Sequence, residues 1–385
     1  MQNMINRKLK EIIVARLKKF PAVALLGPRQ SGKSTLAKTF SGAYYDLEID
    51  QERLRLDLQW NNIVQTDRVI ILDEAQTFPE IFPRVRNAID AKRSKNGRFL
   101  ILGSVSPVLM KQVSESLAGR IAITELSPFI LEEIRKKDLD KLWLMGGFPD
   151  GGIIKKEMFP LWQKNYLDLI AMRDLPHWGL AAAPQVTQRF FKMTSAIHGT
   201  QWNASQIGKS MGLSYHTVNS YLDFLEQVYL LRRLQPYYVN IKKRLVKSPK
   251  VYWRDTGLLH SLLGVNNFDQ LLNQPWVGHS WEGFVIEQIL ACLDSQGRNH
   301  EPYYFRTADG YELDLMLILE GEKWAFEIKL TGSPGQTELD RLKKSSEMIG
   351  CDLMVLVSRT EKEIKGDGII STNLPGALKV LKDRR

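Results

Sequence analysis

The sequence predicts an α/β protein assembled in series. A parallel-sheet domain takes residues 1–130, a helical connector 131–199, a helix-turn-helix with a β-wing 200–265, and a second α/β domain 266–385. Three observations predict this order. Short aliphatic runs alternate with helical periodicity in the first third. Two helix starts flank a glycine turn near residue 212. A hairpin of alternating apolar and polar residues, then a further apolar run, fills the last third. With 385 residues, 44% of them hydrophobic and 25% charged, the chain is long enough for a core in each part.

The first element is a basic amphipathic helix, "RKLKEIIVARLKKF", followed by "PAVALLG". This apolar run is too short for a signal peptide and leads straight into a glycine-rich loop, so it reads as the first buried strand. No apolar run approaches the length that spans a bilayer. Cys292 and Cys351 lie among apolar neighbours without metal-type spacing and fit packed thiols in a reducing compartment. A cytoplasmic protein without membrane contact is the expectation.

"VALLGPRQSGKSTLAKTF" supplies Gly27, four residues, then Gly32, Lys33 and Ser34. This is the G-x-x-x-x-G-K-[ST] pattern, between a strand (Val23 to Leu26) and a helix (Ser34 to Phe40). Gly27, Pro28, Arg29, Gln30, Ser31, Gly32, Lys33, Ser34 and Thr35 form the expected cradle for the phosphates of ATP. Lys33 reaches the β and γ phosphates, and the Ser34 hydroxyl is a ligand for Mg²⁺. Further on, "DRVIILDEAQ" ends a buried strand in Asp73 and Glu74. Asp73 is expected to hold the Mg²⁺. Glu74 is expected to deprotonate the attacking water. "GRFLILGS" is a third strand that ends on Ser104, placed to sense the γ-phosphate. "SESLAGR" brings Arg120, either to complete the site, in cis or from a neighbouring copy in a homo-oligomer, or to cap helix carbonyls.

The connector is helical, interrupted by "WLMGGFPDGG" and ending in "NYLDLIAMRDL", where Arg173 and Asp174 read as a surface ion pair, with a second nucleotide contact as the alternative. "NASQIGKSMGLSYHTVNSYLDFLEQ" then carries Asn203 and Ser214 as helix caps. Its second helix places Val218, Tyr221, Leu222 and Leu225 at core spacing and leaves Tyr215, His216 and Asn219 facing out. Between Glu226 and Asp255 there is no acidic residue, while Arg232, Arg233, Lys242, Lys243, Arg244, Lys247, Lys250 and Arg254 supply eight of the cations in a chain of net charge +10. Such a cluster suits a polyanion, and DNA is the expected partner. The competing reading is a solvated basic surface.

The last unit opens with "HSWEGFVIEQILACL", in which Glu282 shares a helix face with Ile286, Ile289 and Leu293 and so needs a buried partner. The hairpin "YELDLMLILEGEKWAFEIKL" is expected to turn over Glu320 to Lys323, with Leu317 opposite Phe326 and Asp314 opposite Lys329. Glu282, Asp314 and Glu327, with Lys329, then form an acidic cluster able to take a divalent cation and activate water. A plain Asp314–Lys329 ion pair is the alternative.

With these residues in hand, the chain resembles, over nearly its full length, prokaryotic AAA+ ATPases that carry a C-terminal domain of unknown function with a restriction-endonuclease-like core. The resemblance rests on "LLGPRQSGKSTL", "ILDEAQ", "SESLAGR", "GGFP", "KSPKVYWRDTGLL" and "RTADGYELDLML" followed by "EIK". It implies a P-loop NTPase domain, a helical lid, a winged helix, and a PD-(D/E)XK-type α/β domain whose motif maps onto Glu282, Asp314, Glu327 and Lys329. The expected function is ATP hydrolysis coupled to action on DNA, with Mg²⁺-dependent cleavage by the last domain left open. Two rivals stay open: a regulatory ATPase that binds protein partners without cleavage, and a DNA-binding module with a slow timing ATPase.

Overall fold

The computed structural model describes residues 5–104, 113, 115–238 and 245–384. Lys242, Lys243, Arg244 and the side chain of Ser104 lie outside what is described.

Strand β1 (Ala22–Gly27) is buried along its whole length, as an aliphatic strand covered on both faces must be. It pairs in parallel with β4 (Phe99–Ser104) and β5 (Ile121–Glu125), and the order across the sheet adds β3 (Val69–Asp73) and β2 (Gly42–Asp46) beyond β4. The pleat sorts the side chains. Ala22, Ala24 and Leu26 pack on one face with Ile81, Val85 and Ile89 of the helix Ile81–Ala91. Val23 and Leu25 pack on the other with Leu9, Ile13 and Leu17 of the helix Leu9–Lys19. Because all five strands run the same way, Gly27, Asp46, Asp73 and Ser104 end at one edge, with Gly27 beside Ser104 and Asp46 beside Asp73. That edge carries the site.

The connector contributes short helices, among them Leu139–Met145, Leu161–Leu169 and Pro184–Ala196. Helices Ala204–Met211 and Tyr215–Gln227 follow. The Asn203 side chain accepts from Gln206 N (3.0 Å), and the Ser214 hydroxyl accepts from Thr217 N (3.1 Å). Gly212, at φ 70°, closes the first helix, a conformation that favours glycine. Val218, Tyr221, Leu222 and Leu225 are buried.

Strands β6 (Thr200–Gln201), β7 (Leu231–Pro236) and β8 (Lys250–Trp253) are antiparallel neighbours. They do not stand apart from the last unit. β7 also pairs in parallel with β9 (His300–Arg306), through Gln235 with Tyr303 and Pro236 with Tyr304. Among the described residues one sheet therefore runs β13-β14-β12-β11-β10-β9-β7-β8-β6, where β10 is Glu312–Leu319, β11 Glu322–Ile328, β12 Leu353–Ser358, β13 Ile364–Gly366 and β14 Ile369–Asn373. The helix Val277–Gln296 is buried from Ser280 to Leu293. Its core reaches from Phe129 to Leu381.

The β10–β11 hairpin turns on two residues, Glu320 (φ 54°) and Gly321 (φ 96°), rather than on four. Two positive φ values make a turn whose twist matches that of the strands. Leu317 consequently faces Trp324 and Leu315 faces Phe326. The shift from the expected register is two residues, so every side chain keeps its face. Asp314, one step beyond the ladder, falls across from Glu327 instead of Lys329. Cys292 and Cys351 are free thiols. Among the described residues no helix is long and apolar enough to cross a membrane.

Two buried histidines sit beside the Val277–Gln296 helix. His198 Nδ1 accepts from Trp253 N (3.0 Å), and its Nε2 abuts Gly283, where a Cβ would lie 2.5 Å away. His260 contacts the Leu144 carbonyl (2.8 Å) and Ser280 Oγ (2.7 Å). Burial pulls His198 down to about 3 and His260 to about 4. Both depressed values lie below the ordinary histidine value near 6.5, so the stability they contribute is complete above that pH and is lost as pH falls toward 4. Asp255, raised to about 6 by burial, opposes this over part of the range. We expect the melting temperature to drop between pH 7 and pH 4, and to drop less steeply in His198→Gln; thermal unfolding across that series checks it.

Candidate active site

The phosphate loop leaves β1 at Gly27, where a Cβ would stand 2.3 Å from the Leu126 carbonyl oxygen. Gln30 (φ 62°) and Gly32 (φ 95°) then turn the chain into the helix Lys33–Ala37. Arg7 straps the loop in place. Its guanidinium donates to the carbonyls of Ser31 (2.8 Å) and Ser127 (2.5 Å) and pairs with Glu133 (3.0 Å). Lys33 is buried, with Nζ donating to the carbonyls of Gly27 (3.1 Å) and Pro28 (2.9 Å). Burial lowers its ammonium to about 8, while Glu74 and Asp73 favour the charged form. Ser31 Oγ is buried with no hydrogen-bond partner among the described residues. An orphan hydroxyl and a buried ammonium resting on loop carbonyls fit a group that brings anionic oxygens, as ATP does.

Asp73 closes β3. Its Oδ1 accepts from Glu74 N (2.9 Å) and its Oδ2 from the Tyr44 hydroxyl (2.5 Å). The Tyr44 hydroxyl also meets the Ser34 side chain. A carboxylate and a hydroxyl are the hard oxygen donors that Mg²⁺ prefers, so Ser34 and Asp73 fit as its holders. When bound, the ion would neutralise charge developing on the phosphates. Glu74 takes a left-handed conformation (φ 48°, ψ 44°), unusual for a residue other than glycine. Gln76 holds one of its oxygens at 2.5 Å. Burial raises the Glu74 carboxyl, which is the direction a general base at this position would need. Ser104 ends β4, the strand between β1 and β3.

Within one chain, Arg120 does not complete this site. It precedes β5 at the opposite edge of the sheet, where Ile121 pairs with Ala22. At strand rise that is roughly 17 Å from Gly27. Its guanidinium is instead bidentate on Asp90 (2.8 and 3.0 Å) and caps the Ala118 carbonyl. The connector supplies what the sheet does not. Asp174, expected at the surface, is buried and accepts from Arg29 of the loop (2.9 Å) and from Arg173 (2.9 Å). Tyr166 donates to the Arg29 carbonyl (3.2 Å). The partners in the Arg29–Asp174 pair lie 145 residues apart, so sequence spacing held no signal for it.

The C-terminal acids lie near one another, but their ion pairs are shared between two lysines. Glu282 accepts from Lys250 Nζ (2.9 Å) and the Tyr252 hydroxyl (2.5 Å), and Lys250 also pairs with Glu312 (2.8 Å). Asp314 accepts from Ile328 N (2.8 Å), while Lys329 lies 2.6 Å from Glu327 and 3.6 Å from Asp314. Glu312, Asp314, Glu327 and Lys329 line one cavity of about 420 Å³, which Glu282 does not reach. Among the described residues no group of three or more His, Cys, Asp or Glu side chains is arranged to hold a metal ion. The expected set of Glu282, Asp314 and Glu327 is thus divided between two lysines. The buried Lys250 was unforeseen because the hairpin pattern contains no trace of it. Burial, with Glu327 and Glu282 nearby, pushes the Asp314 carboxyl well above its usual range.

Among the described residues of the basic window, four of the five cations are paired. Arg232 and Arg254 pair with Glu287, Arg233 with Asp223 and Glu226, and Lys250 with Glu282 and Glu312. These four are therefore not open to an outside polyanion. The window lacks acids of its own, but the helices Tyr215–Gln227 and Val277–Gln296 and strand β10 bring them in space. Tyr215, His216 and Lys247 are exposed, and Asn219 accepts from Trp202 Nε1 (2.8 Å).

Residues 19–135 match an AAA domain, and with the phosphate loop and acidic strand end already in place the chain is a P-loop ATPase. Residues 136–269 and 277–376 match two domains of unknown function (DUF8612 and DUF4143). Uncharacterized proteins of Mycobacterium tuberculosis and Mycobacterium bovis are each 38% identical over 323 residues, which is 83% of this chain and 72% of theirs. The chain belongs to the family of these mycobacterial proteins. Among solved structures it is similar to the Walker-type ATPase of Pyrococcus abyssi, at 15% identity and a TM-score of 0.45 over 69% of this chain and 97% of that one.

We expect Lys33→Ala to abolish ATP binding, measured by equilibrium titration. Glu74→Gln is expected to retain ATP but to slow phosphate release by about a hundredfold or more. Arg120→Ala should leave turnover within about twofold, as an exposed pair remote from the loop contributes little.

Proposed function

We propose that this ATPase is a switch. ATP turnover at the phosphate loop changes how the connector and the C-terminal sheet are held, and that sheet engages a partner without cutting it. One observation carries the reading. Arg254, directly after β8, pairs with Glu125 (2.5 Å) at the end of β5 and with Glu287 (3.1 Å) on the Val277–Gln296 helix. It lines the same small cavity as Pro28 of the phosphate loop. A buried ion pair is weak support for stability but a strong constraint on geometry, because separating it leaves an uncompensated charge. Arg29 makes a second link. Phosphate oxygens would compete with Asp174 for its guanidinium, and the connector would feel the exchange.

In the catalytic step Lys33 neutralises phosphate charge, and Glu74 orients a water and takes its proton. The C-terminal acids are already paired with Lys250 and Lys329, which supports a reading without cleavage. DNA contact is a second reading, favoured by the exposure of Tyr215, His216 and Lys247 near the second helix of the pair. DNA affinity that falls steeply with salt would support it.

Hydrogen exchange tests the switch. Protection in the Val277–Gln296 helix should differ between ADP and a non-hydrolysable ATP analogue. Asp174→Asn should bind both nucleotides and lose that difference. Identical exchange in the two nucleotide states of the wild type would sink the reading.

A further inference from the structure

Tyr44 is the feature of the nucleotide site that the motifs do not account for. It lies on β2, the edge strand beside β3, and pairs with Ile71. Its ring shares the face that packs against Leu36 and Ala37, so it extends along the helix that carries Ser34. The ring is held from several sides. Lys38 Nζ lies 4.9 Å from its centroid, and Arg55 donates to the Tyr44 carbonyl at 2.5 Å. The reach of the ring places the hydroxyl between Asp73 Oδ2 (2.5 Å) and the Ser34 side chain. The other Asp73 oxygen is engaged by Glu74 N.

We propose that Tyr44 is a positioning residue that competes with Mg²⁺ for Asp73, and so sets how much Mg²⁺ the protein needs in order to hold ATP. The inference rests on Asp73 and Ser34 being the holders of the ion. The hydroxyl donates its one proton to the carboxylate, so Asp73 Oδ2 has a partner without a cation. Before that oxygen can turn to Mg²⁺, the hydrogen bond must open, and the ring must rotate or withdraw. An ordinary phenol is uncharged at neutral pH, so the side chain does not itself attract the ion. The alternative is a packing tyrosine whose hydroxyl takes the nearest acceptor. In that case its removal would lower stability and leave the Mg²⁺ requirement unchanged.

The two are separated by binding without turnover. A fluorescent ATP analogue is titrated with Mg²⁺ on full-length protein carrying Glu74→Gln, with and without Tyr44→Phe. The half-saturating Mg²⁺ concentration should fall about fivefold in Tyr44→Phe, the size of one net hydrogen bond. Affinity measured in EDTA should not change. An unchanged or higher Mg²⁺ midpoint overturns the proposal. Ser34→Ala and Asp73→Asn serve as controls. If neither raises the Mg²⁺ midpoint, the placement of the ion fails and this inference fails with it. Should Tyr44→Phe not fold, 3-fluorotyrosine at position 44 reports instead. Its ¹⁹F resonance should move when Mg²⁺ is added to the ATP-bound protein, and a resonance that stays put counts against the proposal.

Discussion

The helix Val277–Gln296 carries Glu282, Glu287 and Gln288 into the interior, and a buried polar group must be partnered. Each partner comes from another part of the chain. Lys250 and Tyr252 take Glu282, Arg232 and Arg254 take Glu287, and the Leu131 amide donates to Gln288 at 2.7 Å. The requirement to satisfy these three side chains fixes how the connector, the wing strands and the last α/β unit meet. It also removes Lys250, Arg232 and Arg254 from the surface. Within a segment that reads as a basic arm, Arg232, Lys250 and Arg254 serve as counter-ions in the folded molecule.

The nucleotide site obeys a similar constraint from the other side. The parallel sheet aligns its strand ends, but the loop is held by residues outside the motif. Arg7 precedes the first helix and bonds Ser31; Tyr166 and Asp174 belong to the connector and hold Arg29. The "GGFP" and "WRDTGLL" segments meet just beside it. Asp255 accepts from Gly147 N (2.8 Å) and Leu258 N (3.0 Å), capping the helix Thr256–Leu262. Gly257 packs where a Cβ would lie 2.0 Å from the Met145 carbonyl oxygen. The phosphate loop is thus surrounded by elements that a change of ligand can disturb, which is the physical content of the proposed switch.

Much of the site was legible because it is local. A glycine-rich loop needs its residues in one stretch, so Gly27 to Thr35 could be read off directly, as could Asp73 and Glu74 at the end of an apolar run. The helix caps Asn203 and Ser214 were equally legible, since a cap bonds an amide three residues on. Tyr44 was not. Nothing in "GAYYD" distinguishes the tyrosine that packs in the core from the one whose hydroxyl reaches Asp73, because that depends on which strand lies next to β2.

The amino-acid sequence alone determined the alternation of strands and helices, the nucleotide loop and the existence of the hairpin, because propensity, periodicity and turn chemistry act over a few residues. Tertiary structure decided the charges. It sent Arg120 to the far edge of the sheet, drew Asp174 under the loop, and divided the C-terminal acids between Lys250 and Lys329. Ion pairs form between groups near in space, and distance along the chain carries no information about them.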